Sequence, residues 1–400
     1  MNGIDRNADD SITVIHNGKI VTERDGIIES GTIAWRGEHI AYVGEDTNFP
    51  EWQFRDGNSR VSIDAHAGWV VPGFIDVHVH GGDGRDFMEA NDESYDAITR
   101  FHRRHGTTGL LATTVTASPQ AIERVVRFAK YYQNKDTHNG QLLGVHLEGP
   151  FISPAQPGAQ DPRYIALPRR EWLEGWTMEH PDTIRMLTLA PELDGAKSLI
   201  GWLNEHGIVP SCGHTNASYG QIIEAAEQGL RHAAHTFNAM KGIHHREPGT
   251  VGAILDDARI SAEIIADGHH VHPACIRLLA KLKGPDRLIL VTDAIAATGM
   301  ADGEYHLAGH DVVVKDAVSR LKHGGNLAGS TLTMIDACRY MMETVGLDIG
   351  QVSRYASGNP ARLLGLEQRM GSLEEGKLAN VLLLSPQLKL QAVWVRGKKV

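Results

Sequence analysis

Gly73-Phe74-Ile75-Asp76-Val77-His78-Val79-His80-Gly81 reads as a strand. Side chains alternate along a strand with a period of two, so His78 and His80 project from one face and Val77 and Val79 from the other. Two imidazoles at i and i+2 on an extended segment form a rigid half of a metal site. The chain has 22 histidines, so such a pair also arises by chance, and its meaning depends on its surroundings.

From Val71 onward, buried-looking apolar runs alternate with helical patterns, the signature of βα units. Eight strands are predicted, at 73–80, 108–115, 142–149, 185–191, 207–214, 232–239, 260–267 and 288–294. Between the second and third, Ser118-Pro119 supplies a helix N-cap and first turn, followed by the apolar stripe Ile122, Val125, Val126 and Ala129. Tyr219 to Leu230 is a similar amphipathic segment. This series predicts an α/β fold, a metal-dependent (β/α)8 TIM barrel. An open doubly wound sheet would usually carry a glycine-rich phosphate turn after its first strand.

Upstream, residues 12–70 hold short β-type pieces at 12–15, 19–21, 31–35 and 39–43, separated by turn signals. That texture returns in Arg369 to Leu384 and Ala392 to Gly397. The expected organisation is a barrel at 71–366 and a small discontinuous β-sandwich domain built from 1–70 and 367–400.

Of 400 residues, 42% are hydrophobic and 22% charged, as in a globular protein. A net charge of −10 argues against a nucleic-acid partner, so an anionic substrate would need a local cationic cluster. Cys212, Cys275 and Cys338 are odd in number and form no Cys-x-x-Cys, which disfavours disulfides and thiolate zinc. Met1 to Asp10 lacks a basic region leading into an apolar stretch, and no apolar run is long enough to span a bilayer. A reduced, cytoplasmic protein with no membrane partner is expected.

Barrel enzymes place their chemistry at the carboxyl ends of the strands. The first strand ends in His78 and His80, the third in Glu148, the fifth in Ser211-Cys-Gly-His214 and the eighth in Thr292-Asp293. His235, in His235-Thr-Phe-Asn-Ala-Met240, opens the terminal half of the sixth. Singly, Glu148 or Asp293 would cap a turn, and His214 or His235 would be a satisfied core histidine. Together, at one rim, they point to a shared metal centre. Imidazole and carboxylate without thiolate suit zinc, iron(II), manganese, cobalt or nickel. Glu148, His214 and His235 form a set for one divalent ion. His78, His80 and Asp293 form a set for a second, with Glu148 as bridge, giving one or two ions per subunit. Such ions bring water to nucleophilic strength near neutral pH, so hydrolysis is the natural reaction class.

The blocks Pro72-Gly-Phe-Ile-Asp-Val-His-Val-His-Gly81, His146-Leu-Glu-Gly-Pro-Phe151, Gly213-His-Thr215, His235-Thr-Phe-Asn-Ala-Met240, Arg246-Glu-Pro-Gly249 and Val291-Thr-Asp-Ala294 resemble the N-acetylglucosamine-6-phosphate deacetylase family of the amidohydrolase superfamily. The resemblance runs in order across nearly the whole chain, to Gly371-Ser-Leu-Glu-Glu-Gly-Lys377. It implies hydrolysis of the acetamide of N-acetyl-D-glucosamine 6-phosphate to D-glucosamine 6-phosphate and acetate. It also implies that Glu148, His214 and His235 bind the principal metal, and that Asp293 is the general acid/base, moving a proton from the attacking water to the departing amine. For the sugar phosphate it points to Ala159, Gln160, Asn238, Ala239, Arg246, His270, Leu327, Ala328 and Gly329. The planar fork of Arg246 suits a phosphate dianion, and in this family that arginine can come from the partner subunit, which implies a homodimer. Some relatives carry histidine where Gln160 stands, and some lack the His-x-His and use one metal.

Other readings have their own signatures. Cyclic-amide hydrolases bridge their metals with a carboxylated lysine on the fourth strand, but here that strand ends Thr188-Leu-Ala-Pro-Glu192. The galacto epimer of the substrate differs at one hydroxyl, and nothing in these residues separates the two. A non-catalytic relative of the fold would have lost ligands, whereas all six expected metal and acid/base residues are present.

Overall fold

A computed structural model describes residues 12–23, 26–54, 60–135 and 141–400; the amino-terminal stretch read above for a leader lies outside them. Eight parallel strands follow one another in space as they do in sequence: β1 (Phe74–Val79), β2 (Thr107–Thr114), β3 (Gln141–Glu148), β4 (Ile184–Leu189), β5 (Val209–Cys212), β6 (His232–Ala233), β7 (Ser261–Ile265) and β8 (Leu288–Val291). Just past β8 the chain meets the end of β1, where Val79 and Ala294 form a parallel bridge. There Asp293 N–H donates to His78 O at 2.9 Å and His80 N–H to Ala294 O at 2.8 Å. The sheet thereby closes into the predicted barrel.

Helices α1 (Asp92–Arg104), α2 (Pro119–Gln133), α3 (Arg170–Glu179), α4 (Ala196–Glu205), α5 (Tyr219–Glu227), α6 (Gly249–Asp256), α7 (Pro273–Lys283) and α8 (Met334–Tyr340) alternate with the strands. Their boundaries follow local chemistry. In α1 the Asn91 side chain accepts from Ser94 N, with Asp92 and Glu93 in the first turn and His102, Arg103 and Arg104 in the last, matching the helix dipole. In α2, Ser118 caps, Pro119 starts the helix, and Ile122, Val125, Val126, Ala129 and Tyr132 are buried. Each of the buried Ile and Val side chains contributes roughly 1.5–3 kcal/mol.

The strands that carry the unusual residues are shorter than expected. The predicted strand 232–239 is paired only at His232 and Ala233, and that predicted to 214 ends at Cys212. Beyond those points the backbone turns, with positive φ at His214, His235, Phe237 and Ala239. After β8 comes a three-stranded antiparallel sheet (303–307, 310–315, 318–321), whose Leu307, Val312 and Val314 pack with Val115, Ile295, Ala297 and Ala328.

The second compact unit comprises the described residues up to Ile75 together with Asp348–Val400, and the barrel unit is Asp76–Leu347. The expected borders at 70/71 and 366/367 therefore differ, since the helical segment 349–363 groups with the sheet and Ser357 Oγ donates to Pro72 O at 3.4 Å. The N- and C-terminal strands join in one hydrogen-bonded, mostly antiparallel sheet. Strand 12–21 pairs in parallel with 60–64 along its first half and with 69–70 beyond an irregularity between Ile15 and Gly18. Trp35 and Trp394 meet edge to face at 5.5 Å in its core. Among the described residues no helix is long and apolar enough to cross a membrane.

Candidate active site

Each candidate ligand lies at the carboxyl rim of the barrel. Glu148 is the last residue of β3, His78 lies in β1 and His80 just after it, and His214, His235 and Asp293 each stand two residues beyond a strand. Those last three have left-handed backbones, with φ of 47°, 26° and 51°. A non-glycine residue held there costs on the order of 1–3 kcal/mol, a strain that concentrates at functional sites. The turns bring His214 and His235 to Glu148, and Asp293 to His80 and His78.

Glu148 Oε1 is the focus. His78 Nε2 lies 3.2 Å from it, His214 Nε2 3.2 Å and His235 Nε2 2.9 Å. The Nε2 atoms of His214 and His235 are themselves 3.2 Å apart. Asp293 Oδ1 is 3.2 Å from His80 Nε2 and 3.6 Å from His78 Nε2. All six residues are buried. Burial pushes the Glu148 carboxyl pKa up, but the surrounding histidines outweigh it and hold the pKa well below the usual range. Burial likewise opposes the Asp293 carboxylate, and His80 and His78 more than offset it, so its pKa is lowered. For His80 burial works downward, yet Asp293 and Glu148 bring the pKa up to about 9.

These residues fit a divalent cation. His214 Nδ1 faces the carbonyl of Gln156 at 3.0 Å, so Nδ1 carries the proton and the Nε2 lone pair faces the centre. His78 Nδ1 likewise faces Glu263 Oε2 at 2.8 Å, and its buried Nε2 has no hydrogen-bond partner among the described residues. For His78 and His214, an Nε2 facing Glu148 and an acceptor behind Nδ1 are the arrangement that metal-binding histidines need. His78, His80 and Asp293 form one group of metal-binding geometry and His78, Glu148 and His235 another; His214, expected beside Glu148 and His235, belongs to neither group, its Nε2 lying 3.2 Å from Glu148 Oε1 and from His235 Nε2.

Several supporting residues were not anticipated. Glu263, fully buried on β7, accepts from His78 Nδ1, from His232 Nε2 at 2.9 Å and from the backbone N–H of His235 at 3.0 Å. Its signal was a lone acid in the apolar strand Ser261-Ala-Glu-Ile-Ile265. Asp76 accepts from Thr292 Oγ1 at 2.5 Å, tying β1 to β8, and burial pushes its carboxyl up to about 7. His146 Nε2 contacts Thr188 Oγ1 at 2.8 Å beneath His78. Glu263→Gln weakens the preference for the Nδ1–H tautomer of His78. It should lower divalent-metal affinity by about 10–100-fold while the protein stays folded. Competition with a chromophoric chelator measures this, and unchanged affinity would refute the role.

Above the cluster opens a cavity of about 440 Å³, lined by His80, Glu148, His214, His235 and Asp293 and by Ala159, Gln160, Asn238, Ala239, His270, Leu327 and Gly329. Its size is that of a small-ligand pocket. His270 is fixed by Asp267, whose Oδ2 lies 2.6 Å from His270 Nδ1, leaving Nε2 for the cavity. Gly158 lies so close to His214 that a Cβ would stand 2.9 Å from the ring. Two residues named from the sequence lie elsewhere. Ala328 is buried in the apolar cluster under the three-stranded sheet, and Arg246 is exposed, its guanidinium donating to His245 Nε2 at 2.7 Å. Glu192, three residues beyond β4, accepts from Thr215 Oγ1 at 2.5 Å and Asn216 N at 2.7 Å. The strand's end is thus tied to the loop after β5, and no lysine lines the cavity among the described residues.

The sequence matches the model of the Amidohydrolase family over residues 69–400. It is 37% identical to N-acetylglucosamine-6-phosphate deacetylase of Bacillus subtilis over 382 residues, 94% of each chain. It is 38% identical to N-acetylgalactosamine-6-phosphate deacetylase of Escherichia coli O157:H7 over 329 residues, 82% of this chain and 87% of the relative. The fold is similar to that of a mutant N-acetyl-D-glucosamine-6-phosphate deacetylase from Mycobacterium smegmatis in complex with N-acetyl-D-glucosamine-6-phosphate, with TM-score 0.89 and 35% identity over 97% of this chain and 99% of that one. The closed barrel, the ligand cluster at its rim and these matches make the chain a member of the amidohydrolase family, on the branch that carries the N-acetylglucosamine-6-phosphate deacetylases.

Proposed function

We propose that the chain hydrolyses the acetamide of N-acetyl-D-glucosamine 6-phosphate to D-glucosamine 6-phosphate and acetate, using one or two divalent ions held by Glu148, His214 and His235 and by His78, His80 and Asp293. The observation that carries this reading is the convergence of His80, His214, His235, Glu148 and Asp293 on the lining of a cavity sized for a sugar phosphate, with His78 buried behind them. A bound zinc, iron(II), manganese, cobalt or nickel ion would supply Lewis acidity to the carbonyl and acidify water. The protein supplies the rest. Asp293, ionised and held by His80, accepts a proton from the attacking water and returns it to the sugar nitrogen, because an amine leaves poorly unless protonated. His270 offers Nε2 to the sugar, and Asn238 and the backbone around Leu327 and Gly329 border the same space.

Arg246 stands outside its own cavity on an exposed loop. That position supports its serving the phosphate of a neighbouring protomer in a homodimer, within a cytoplasmic enzyme of amino-sugar breakdown. The galacto epimer is the second reading, favoured by the 38% identity to the Escherichia coli O157:H7 relative.

A substrate panel tests the proposal: N-acetylglucosamine 6-phosphate, its galacto epimer and free N-acetylglucosamine, with metal counted on the same preparation. The gluco phosphate should give the highest kcat/KM, and a preference for the epimer or for the free sugar would overturn the assignment. Arg246→Ala should raise KM for the phosphorylated sugar about 10–100-fold, the equivalent of a lost charge-assisted contact. It should leave the free sugar unaffected, and equal effects on both would remove Arg246 from the phosphate site.

A further inference from the structure

The fourth strand gives the cluster no ligand, yet the chain just beyond it grips the loop that carries one. Glu192 receives two donors from the loop after β5: the Thr215 hydroxyl at 2.5 Å on Oε2 and the Asn216 N–H at 2.7 Å on Oε1. Thr215 Oγ1 itself accepts the Ala217 N–H at 3.1 Å, so its own proton is directed to Glu192. The carboxylate is half-buried and does not line the cavity. Both of its oxygens are turned to this one loop.

Thr215 joins two parts of the site. It follows His214 in the chain and forms a parallel bridge with Met240 in the segment after β6, its N–H donating to Ala239 O at 3.1 Å and its O accepting the Lys241 N–H at 3.1 Å. His214 reaches Glu148, and Ala239 lies on the cavity wall. Both hold left-handed backbones, with φ of 47° and 48°, a conformation that a residue bearing a Cβ keeps only where its surroundings fix it. The loop after β3 also restrains His214, through Ser153 N–H on His214 O at 2.8 Å and the Gln156 carbonyl on Nδ1 at 3.0 Å. Those bonds join neutral groups, whereas hydrogen bonds to a carboxylate are roughly twice as strong. Glu192 is therefore the firmest restraint on this turn.

We propose that Glu192 is a positioning residue: by clamping Thr215 and Asn216 it sets the turn at His214 and, through the Thr215 pairing, the cavity wall at Ala239, so that metal affinity and substrate binding depend on one hydrogen-bonded clasp. The metal and substrate parts of this rest on the function proposed above. Glu192→Gln can satisfy only one of the two donors, because its NH2 would face the other, and Glu192→Ala satisfies neither. In Glu192→Ala, Zn²⁺ affinity measured by competition with a chromophoric chelator should fall about 10–100-fold, the scale for residues behind the ligands, and KM for N-acetylglucosamine 6-phosphate should rise about tenfold. Glu192→Gln should lie between this variant and the wild type on both scales. A variant that is folded by circular dichroism yet leaves either quantity unchanged would overturn the assignment, since a purely structural contact would move neither once the protein is folded. A further measurement needs no variant. Hydrogen exchange read by mass spectrometry on the wild type, before and after a chelator strips it of metal, should find residues 213–217 equally protected. Exchange that becomes fast on stripping would show that the ion, and not Glu192, holds the turn, and would overturn the proposal. A wild type that neither takes up Zn²⁺ nor hydrolyses the sugar phosphate would instead overturn the function proposed above, while the exchange measurement would still decide the clasp.

Discussion

Asp293→Asn should lower kcat by about 10³–10⁴-fold while leaving bound metal and KM near wild type, the loss expected when a positioned acid/base is removed. The replacement is nearly isosteric, and the backbone turn at φ 51° is one that asparagine adopts readily. Its amide cannot take a proton from water, nor return one to the sugar nitrogen. The measurement is steady-state kinetics beside metal analysis of the same sample. Near-wild-type turnover with metal intact would show that another group carries the proton.

Glu148→Gln should have the other large effect, by a different route. The carboxylate faces His78, His80, His214 and His235, and under the proposed reading its negative charge would let these buried imidazoles hold one or two cations. A neutral amide there leaves the ion without its anionic ligand and puts an N–H₂ group against nitrogens that should be lone-pair donors. Purified protein should contain almost no metal, and kcat/KM should fall by at least about 10³-fold, the several kcal/mol that Lewis-acid catalysis provides. Added Zn²⁺ should restore little. Metal content separates the two variants: Asp293→Asn keeps its ion and Glu148→Gln loses it. A Glu148→Gln protein that retains a full equivalent would remove Glu148 from the ligand set.

The strand pattern and its capping residues made the barrel legible, because βα repetition and N-caps such as Ser118 are local properties of short segments. The residues at the strand ends were legible as chemistry, since acids and histidines closing apolar runs stand out. Their geometry was not. His235 reads as part of a strand through 239, yet pairing stops at Ala233, because a strand that continued would send alternate side chains away from the axis. Gln160 reads as a sugar contact; it lines the cavity, with its amide also hydrogen-bonded to Thr116 and Glu148. Arg246 reads as a phosphate ligand, yet its own cavity does not include it.

By itself, then, the sequence determined the barrel, the rim that carries the chemistry and the ligand types, because these follow from periodicity and from which side chains can bind a cation. Only the tertiary structure decided which ligands share an oxygen of Glu148, which ring nitrogens of His78 and His214 face the centre and what lies behind those two. Glu263, Asp267 and Gln160 reach His78, His270 and Glu148 from different elements or across loop turns. The reason is physical: a hydrogen bond or a metal contact is decided within a few tenths of an ångström. Barrel closure and left-handed turns at His214, His235 and Asp293 set those distances.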